Sequence, residues 1–74
     1  MAWIDPATVA RKRDAAGLKA GHVAAAIGVT PITLSRAENG ATHSPGVLRD
    51  ALAYVEAVAE AQAAALATMR AGRA

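Results

Sequence analysis

The sequence has no cysteine and no phenylalanine, and only one tryptophan and one tyrosine among its 74 residues. Without cysteine, neither a disulfide framework nor a thiolate metal site can supplement the core. With so few aromatics, the core must come from Leu, Ile, Val and the many alanines. Such a chain favours closely packed helices, because Ala has the best helix propensity and little β-propensity. At this length the chain is one small domain near the lower limit for a self-sufficient core, since a ~60-residue domain buries only about 60% of its unfolded surface. No run stays apolar for the roughly 20 residues that a membrane span needs. The N-terminus lacks a basic-then-apolar signal region. These absences predict a soluble, cytoplasmic protein with no membrane partner.

Charge of one sign is scarce as well. The formal net charge is only +2, but its placement is uneven. Arg11, Lys12, Arg13, Lys19 and Arg36 face Asp5, Asp14 and Glu38 in the first 40 residues, whereas Arg49, Arg70 and Arg73 balance Asp50, Glu56 and Glu60 in the rest. The excess therefore lies in the first half. It permits a polyanionic partner, yet falls short of the strongly basic footprint of many nucleic-acid binders. On charge alone, an ordinary solvated surface fits equally well.

What is present is firm punctuation. Asp5-Pro6 reads as an N-cap followed by Pro at the first helical position, where the missing N–H does no harm. Ile4 and Val9 are placed for a hydrophobic staple across that start. The first helix should run from 6 to about 16, with Gly17 as its left-handed stop. A second helix should cover about 20–27 and end at Gly28. Thr30-Pro31 repeats the cap-plus-Pro signal and opens a third helix over 31 to about 38, stopped by Asn39-Gly40. Ser44-Pro45 is a third such signal, opening a long helix to about Met69 or Arg70. Strands have nowhere to form. The expected fold is all-α: a compact four-helix domain with a long C-terminal helix. Trp3 and Ile4 are expected to cover the core from one end.

Only Gly28-Val29-Thr30 joins the second and third helices. A short turn with Gly at its corner is the signature of a helix-turn-helix unit. In that unit the second helix lies in the DNA major groove and its N-terminal residues meet base edges. Leu34 and Ala37 face inward, which leaves Pro31, Ile32, Ser35 and Arg36 outward. An outward Ile beside an outward Arg suits a groove. There Arg donates to guanine or to phosphate, and an apolar group meets a thymine methyl. The plainer alternative is a helical scaffold with a stray exposed Ile.

Residues 9–40, VARKRDAAGLKAGHVAAAIGVTPITLSRAENG, resemble the lambda-repressor-like, Cro/XRE-type helix-turn-helix domains. The family pattern is matched by Arg13, Gly17-Leu18, Val23-Ala24, Ile27-Gly28-Val29-Thr30 and the run Leu34-Ser35-Arg36-Ala37-Glu38-Asn39-Gly40. The Ser-Arg-x-Glu-Asn-Gly ending is its most specific part. A weaker likeness continues through Ser44-Pro45, Leu48, Leu52 and Val55. The resemblance implies that Pro31, Ile32, Ser35 and Arg36 face bases. It also implies that Asn39, with Thr42 and His43 in the following loop, grips phosphate. Arg13 and Glu38 then match a partly buried ion pair that ties the first helix to the end of the third. The resemblance further implies a bacterial cytoplasm, or a host cytoplasm if the chain is phage-encoded.

Two departures stand out. The family often begins its second helix with Ser-Gln, whereas this chain has Lys19-Ala20-Gly21. The cap is missing, and Gly21 costs roughly 0.5–1 kcal/mol against Ala within a helix. Lys19 can replace a phosphate contact by charge, without fixed geometry. Pro31 replaces a residue that usually reads bases through polar atoms. Direct readout then rests on Arg36, Ser35 and the methyls of Ile32 and Thr33.

Other chemistry is weak. His22 and His43 sit at no metal-ligand spacing, and His22 is expected exposed on the second helix. Ser35 has no base positioned by any motif, and the glycines form no phosphate-cradling loop. The reading is not an enzyme, with no cofactor, metal or small-molecule ligand.

In the last helix, Leu48, Leu52, Val55, Ala59, Gln62, Leu66 and Met69 alternate by four and three, a heptad-like seam. Val47, Ala51, Tyr54, Val58 and Ala65 form a second stripe beside it. The seam divides the chain into a helix-turn-helix domain over 1–56 and a helical extension over 57–74. The part from 57 to 70 extends roughly 21 Å at 1.5 Å per residue. The first three helices cannot cover it. A homodimer is therefore expected, joined through Val58, Ala59, Gln62, Leu66 and Met69, with an Ala-rich helical tail as the alternative. A dimer would set two recognition helices on half-sites about one DNA turn apart. The function expected is a sequence-specific double-stranded DNA-binding regulator of the Cro or compact-repressor kind. With no second domain for ligand sensing, its regulation would come through concentration and competition for operators. The alternative is an adaptor or antitoxin-like interaction module that keeps the fold without specific DNA binding.

Overall fold

The computed structural model describes residues 4–72. Four helices account for most of them: α1 (Pro6–Ala15), α2 (Ala20–Ile27), α3 (Pro31–Glu38) and α4 (Pro45–Ala71). No strand occurs among the described residues. The boundaries fall within a residue or two of those the punctuation predicts. Trp3 lies outside the described residues. Ile4 is half-buried against the core cluster that contains the fully buried Val9, as a staple across the start of α1 requires.

The helix starts differ in how they are capped. Asp5 Oδ1 accepts the Ala7 N–H at 3.1 Å, and Thr30 Oγ1 accepts the Thr33 N–H at 3.2 Å. Each satisfies a donor with no intrahelical partner. Ser44 departs from the sequence expectation: it occupies the cap position of α4 but its side chain takes no backbone N–H. Its backbone (φ −132°, ψ 67°) is not the extended conformation of Asp5 and Thr30, and its hydroxyl instead lies 3.4 Å from Thr42 Oγ1. Lys19, at the start of α2, likewise makes no side-chain cap.

The core is one cluster: Val9 from α1, Val23 and Ala24 from α2, Leu34 and Ala37 from α3, and Leu48, Ala51 and Val55 from α4. Within α3 and α4 these residues are three and four apart, the spacing of one helical face. Leu34 is the one large apolar side chain that α3 buries completely, and its burial contributes roughly 1.5–3 kcal/mol. The inner half of α4 packs on all three other helices. Its outer half projects past them, and the molecule measures 49 × 27 × 16 Å.

Candidate nucleic-acid interface

The α2–α3 corner begins at Gly28, whose φ of 80° is left-handed. That conformation lets the Val29 N–H donate to Ala24 O at 2.9 Å and the Gly28 N–H to Ala25 O at 3.3 Å. This double closure ends α2 abruptly. A side chain at Gly28 would meet nothing within 4 Å, so the demand for Gly is conformational. Val29 tucks against the core, and the next residue, Thr30, caps α3. The first turn of α3 is pinned further, because Thr33 Oγ1 lies 2.8 Å from Thr30 Oγ1.

With Leu34, Ala37 and Glu38 buried, α3 has one free face. Pro31, Ile32, Ser35 and Arg36 are all exposed on it, Ile32 to 64%. Thr33 is different: it is half-buried and its hydroxyl is engaged at the cap. Arg36 forms no ion pair among the described residues. Asn39 is exposed at the end of α3. There the Ala41 and Thr42 N–H groups both donate to Arg36 O, at 2.9 and 3.4 Å, and turn the chain into the 41–44 loop. Thr42 and His43 are exposed in that loop. Lys19, also exposed, leads into α2 beside this face: a Cβ on Gly21 would stand 4.0 Å from Pro31 Cγ. The starts of α2 and α3 are thus neighbours.

The loop borders a cleft of about 280 Å³ lined by Ile4, Pro6, Thr42, His43, Ser44 and Arg49, among others. Arg49 was not singled out by sequence reasoning. The available signal was its place one turn into α4, on the face that follows the loop.

Beneath the face lies the Arg13–Glu38 pair. Arg13 Nε donates to Glu38 Oε2 at 2.9 Å and Nη2 to Oε1 at 3.1 Å, a bidentate fork. Nη1 donates to Leu18 O at 2.9 Å. Glu38 is only 8% exposed. The hydrogen bond to Glu38 raises the guanidinium's pKa above its ordinary value, burial opposes that rise, and the charges of Glu38 and Asp14 add to it. Gly17, left-handed at φ 73°, lets the Leu18 N–H donate to Arg13 O at 3.0 Å, so the backbone and side chain of Arg13 both hold the turn after α1.

Two further ties join α4 to the body. His22, exposed on α2 as expected, places Nε2 3.1 Å from the Tyr54 hydroxyl. Gln62 donates its amide to Ala16 O at 3.0 Å, at the end of α1. Sequence reasoning assigns Gln62 to a seam between copies and ends the body's grip at Glu56. In the structure that grip reaches Gln62, because its side chain spans to a carbonyl that helix α1 leaves open. Val58 is half-buried, while Ala59, Leu66 and Met69 are exposed.

A three-residue corner between two short helices, with the second helix anchored from below and free above, defines a helix-turn-helix domain. A family model described as a helix-turn-helix domain matches residues 7–71. The chain belongs to that family. No curated protein and no solved structure matches it significantly. Among the described residues, no helix is long and apolar enough to cross a membrane, and no three His, Asp or Glu side chains gather as a metal site.

Proposed function

We propose that the protein is a sequence-specific binder of double-stranded DNA that regulates transcription as a Cro-like or compact repressor, acting as a homodimer. The observation that carries this reading is the free face of α3, where Arg36 has no ion-pair partner among the described residues and stands beside exposed Ile32 and Ser35. Laid in the major groove, Arg36 donates to guanine O6 and N7, Ile32 meets a thymine methyl, and Ser35 serves as donor or acceptor. Pro31 lines the groove without polar atoms. Thr33 fixes the first turn of α3, leaving its methyl for contact. Lys19, Asn39, Thr42 and His43 contact phosphate, which sets register and carries no sequence information. Arg49 joins them from the start of α4. Two copies on half-sites one turn apart would favour a near-palindromic operator.

The test has two arms. Affinity for random duplex DNA should fall steeply as salt rises, through counterion release. On a selected operator, Arg36→Ala should weaken binding by about 1–3 kcal/mol and blur preference at one base pair. Equal binding by mutant and parent would remove α3 from the interface. No salt-dependent binding at all would favour an interaction module, with Ile32 on a protein surface.

A further inference from the structure

Leu66 and Met69 are exposed to 47% and 57%, and with Ile32 they are the large apolar side chains left open to solvent among the described residues. Ile32 belongs to the face of α3. Leu66 and Met69 do not, and no described residue of their own chain covers them. A second feature lies on the same helix. A groove of about 270 Å³ runs between α1 and α4, lined by Lys12, Ala15, Ala16, Val55, Ala59 and Gln62. Its walls are mostly small apolar side chains with two polar ends.

Val55, Ala59, Gln62, Leu66 and Met69 follow one another at steps of four and three, so groove and protruding side chains share one stripe of α4. Met69 lies ten residues beyond Ala59, about 15 Å along the helix. A surface that carries a projection and a recess on one stripe is complementary to itself through a two-fold axis.

We propose that two copies pair antiparallel along the outer half of α4, with Leu66 and Met69 of each copy entering the α1–α4 groove of the other. The proposal rests on the homodimer of the preceding subsection and deepens it. With Met69 of the second copy level with Ala59, its Leu66 falls level with Gln62, and the axis passes near position 64. Ala63 and Ala65 border the stripe on either side of that axis and let the two backbones approach closely.

The charges select the direction. Glu60 and Arg70 have no ion-pair partner among the described residues, and Glu56 shares Lys12 at 3.0 Å in an exposed pair. In this register Arg70 of the second copy lies level with Val58, between Glu56 and Glu60. Parallel pairing would instead keep Arg70 away from Glu56 and Glu60 and leave both grooves empty. Exposed ion pairs add little affinity, but complementary charge favours one orientation. Antiparallel helix dipoles act in the same sense.

The cysteine-free chain makes the test direct. The full chain at tens of micromolar should sediment as a dimer, with Met69→Lys monomeric and its helical signal unchanged. Under mild oxidation, Ala63→Cys should cross-link to itself, since position 63 faces its own copy across an antiparallel axis. Ala59→Cys and Met69→Cys should not cross-link alone but should link to each other when mixed. A dimer in which Ala59→Cys and Met69→Cys each link to themselves would overturn the antiparallel arrangement and leave the homodimer standing. A wild-type chain that sediments as a monomer would remove both, while operator binding, measured separately, would still decide the DNA reading.

Discussion

Within the single helix α4, residues up to Gln62 and those beyond it are held by different forces. The inner part buries Leu48, Ala51 and Val55 and touches α1 and α2 through Lys12–Glu56, His22–Tyr54 and Gln62–Ala16. Beyond Gln62 every described residue is exposed. The one side-chain hydrogen bond found there is internal to the helix, from Thr68 Oγ1 to Ala64 O at 3.0 Å. An isolated helix of that length would be marginal in water, because nucleation is costly. Here the nucleus already exists in the packed part, and each added Ala extends it at low entropy cost. A folded body can therefore carry a straight arm that none of its own contacts support, free to present an apolar stripe to something else.

The contrast can be broken from the body's side first. Glu38→Ala strands the nearly buried Arg13 and should cost about 3–5 kcal/mol. At roughly 4–8 °C per kcal/mol for a domain of this size, the melting temperature should fall by at least about 12 °C. The preference of residual DNA binding should not change, since neither member of the pair lies on the exposed face of α3. Because the Arg13 pKa is raised, its share of the stability is present below the ordinary arginine value and is lost only above it. Melting between neutral and mildly alkaline pH should not register that loss.

A smaller loss is expected at the corner. Gly28→Ala must adopt a left-handed φ with no steric clash to add, so thermal unfolding should show about 1–2 kcal/mol of destabilisation. Gly21→Ala should act oppositely. It lies within α2 and its new methyl would meet only Pro31 at 4.0 Å. A gain of roughly 0.5–1 kcal/mol is expected, and a loss would show that α2 needs this glycine to seat α3. The arm should give the smallest response. In dilute monomer, Leu66→Ala should shift unfolding by no more than about 0.5 kcal/mol, as for an ordinary surface position. At concentrations that favour the dimer the same change should lower the melting temperature, because association stabilises the folded form by mass action.

Most of the helix boundaries were legible because their signals are local. Asp5-Pro6 and Thr30-Pro31 act within one turn, and Gly17, Gly28 and Gly40 stop helices through bonds spanning six residues. Ser44-Pro45 shows the limit of such reading. It places a helix start correctly but supplies no cap, since the path of the 41–44 loop sets the Ser44 backbone. The free face of α3 was legible too, because burying Leu34 and Ala37 leaves Pro31, Ile32, Ser35 and Arg36 outside. Arg13 and Glu38, 25 positions apart, were paired only by resemblance to a family.

The four helices, their order and the outward side of α3 follow from periodicity and capping, which act between residues a few positions apart. Partners far apart in sequence do not follow from these. Lys12 meets Glu56 across 44 positions and Gln62 meets Ala16 across 46. Arg49 borders the cleft below the loop, and the α1–α4 groove opens beside Ala59. Each depends on the angle and depth at which α4 crosses the other helices. That crossing is set by how the buried side chains of all four helices fill one core together, which no short stretch of the chain encodes.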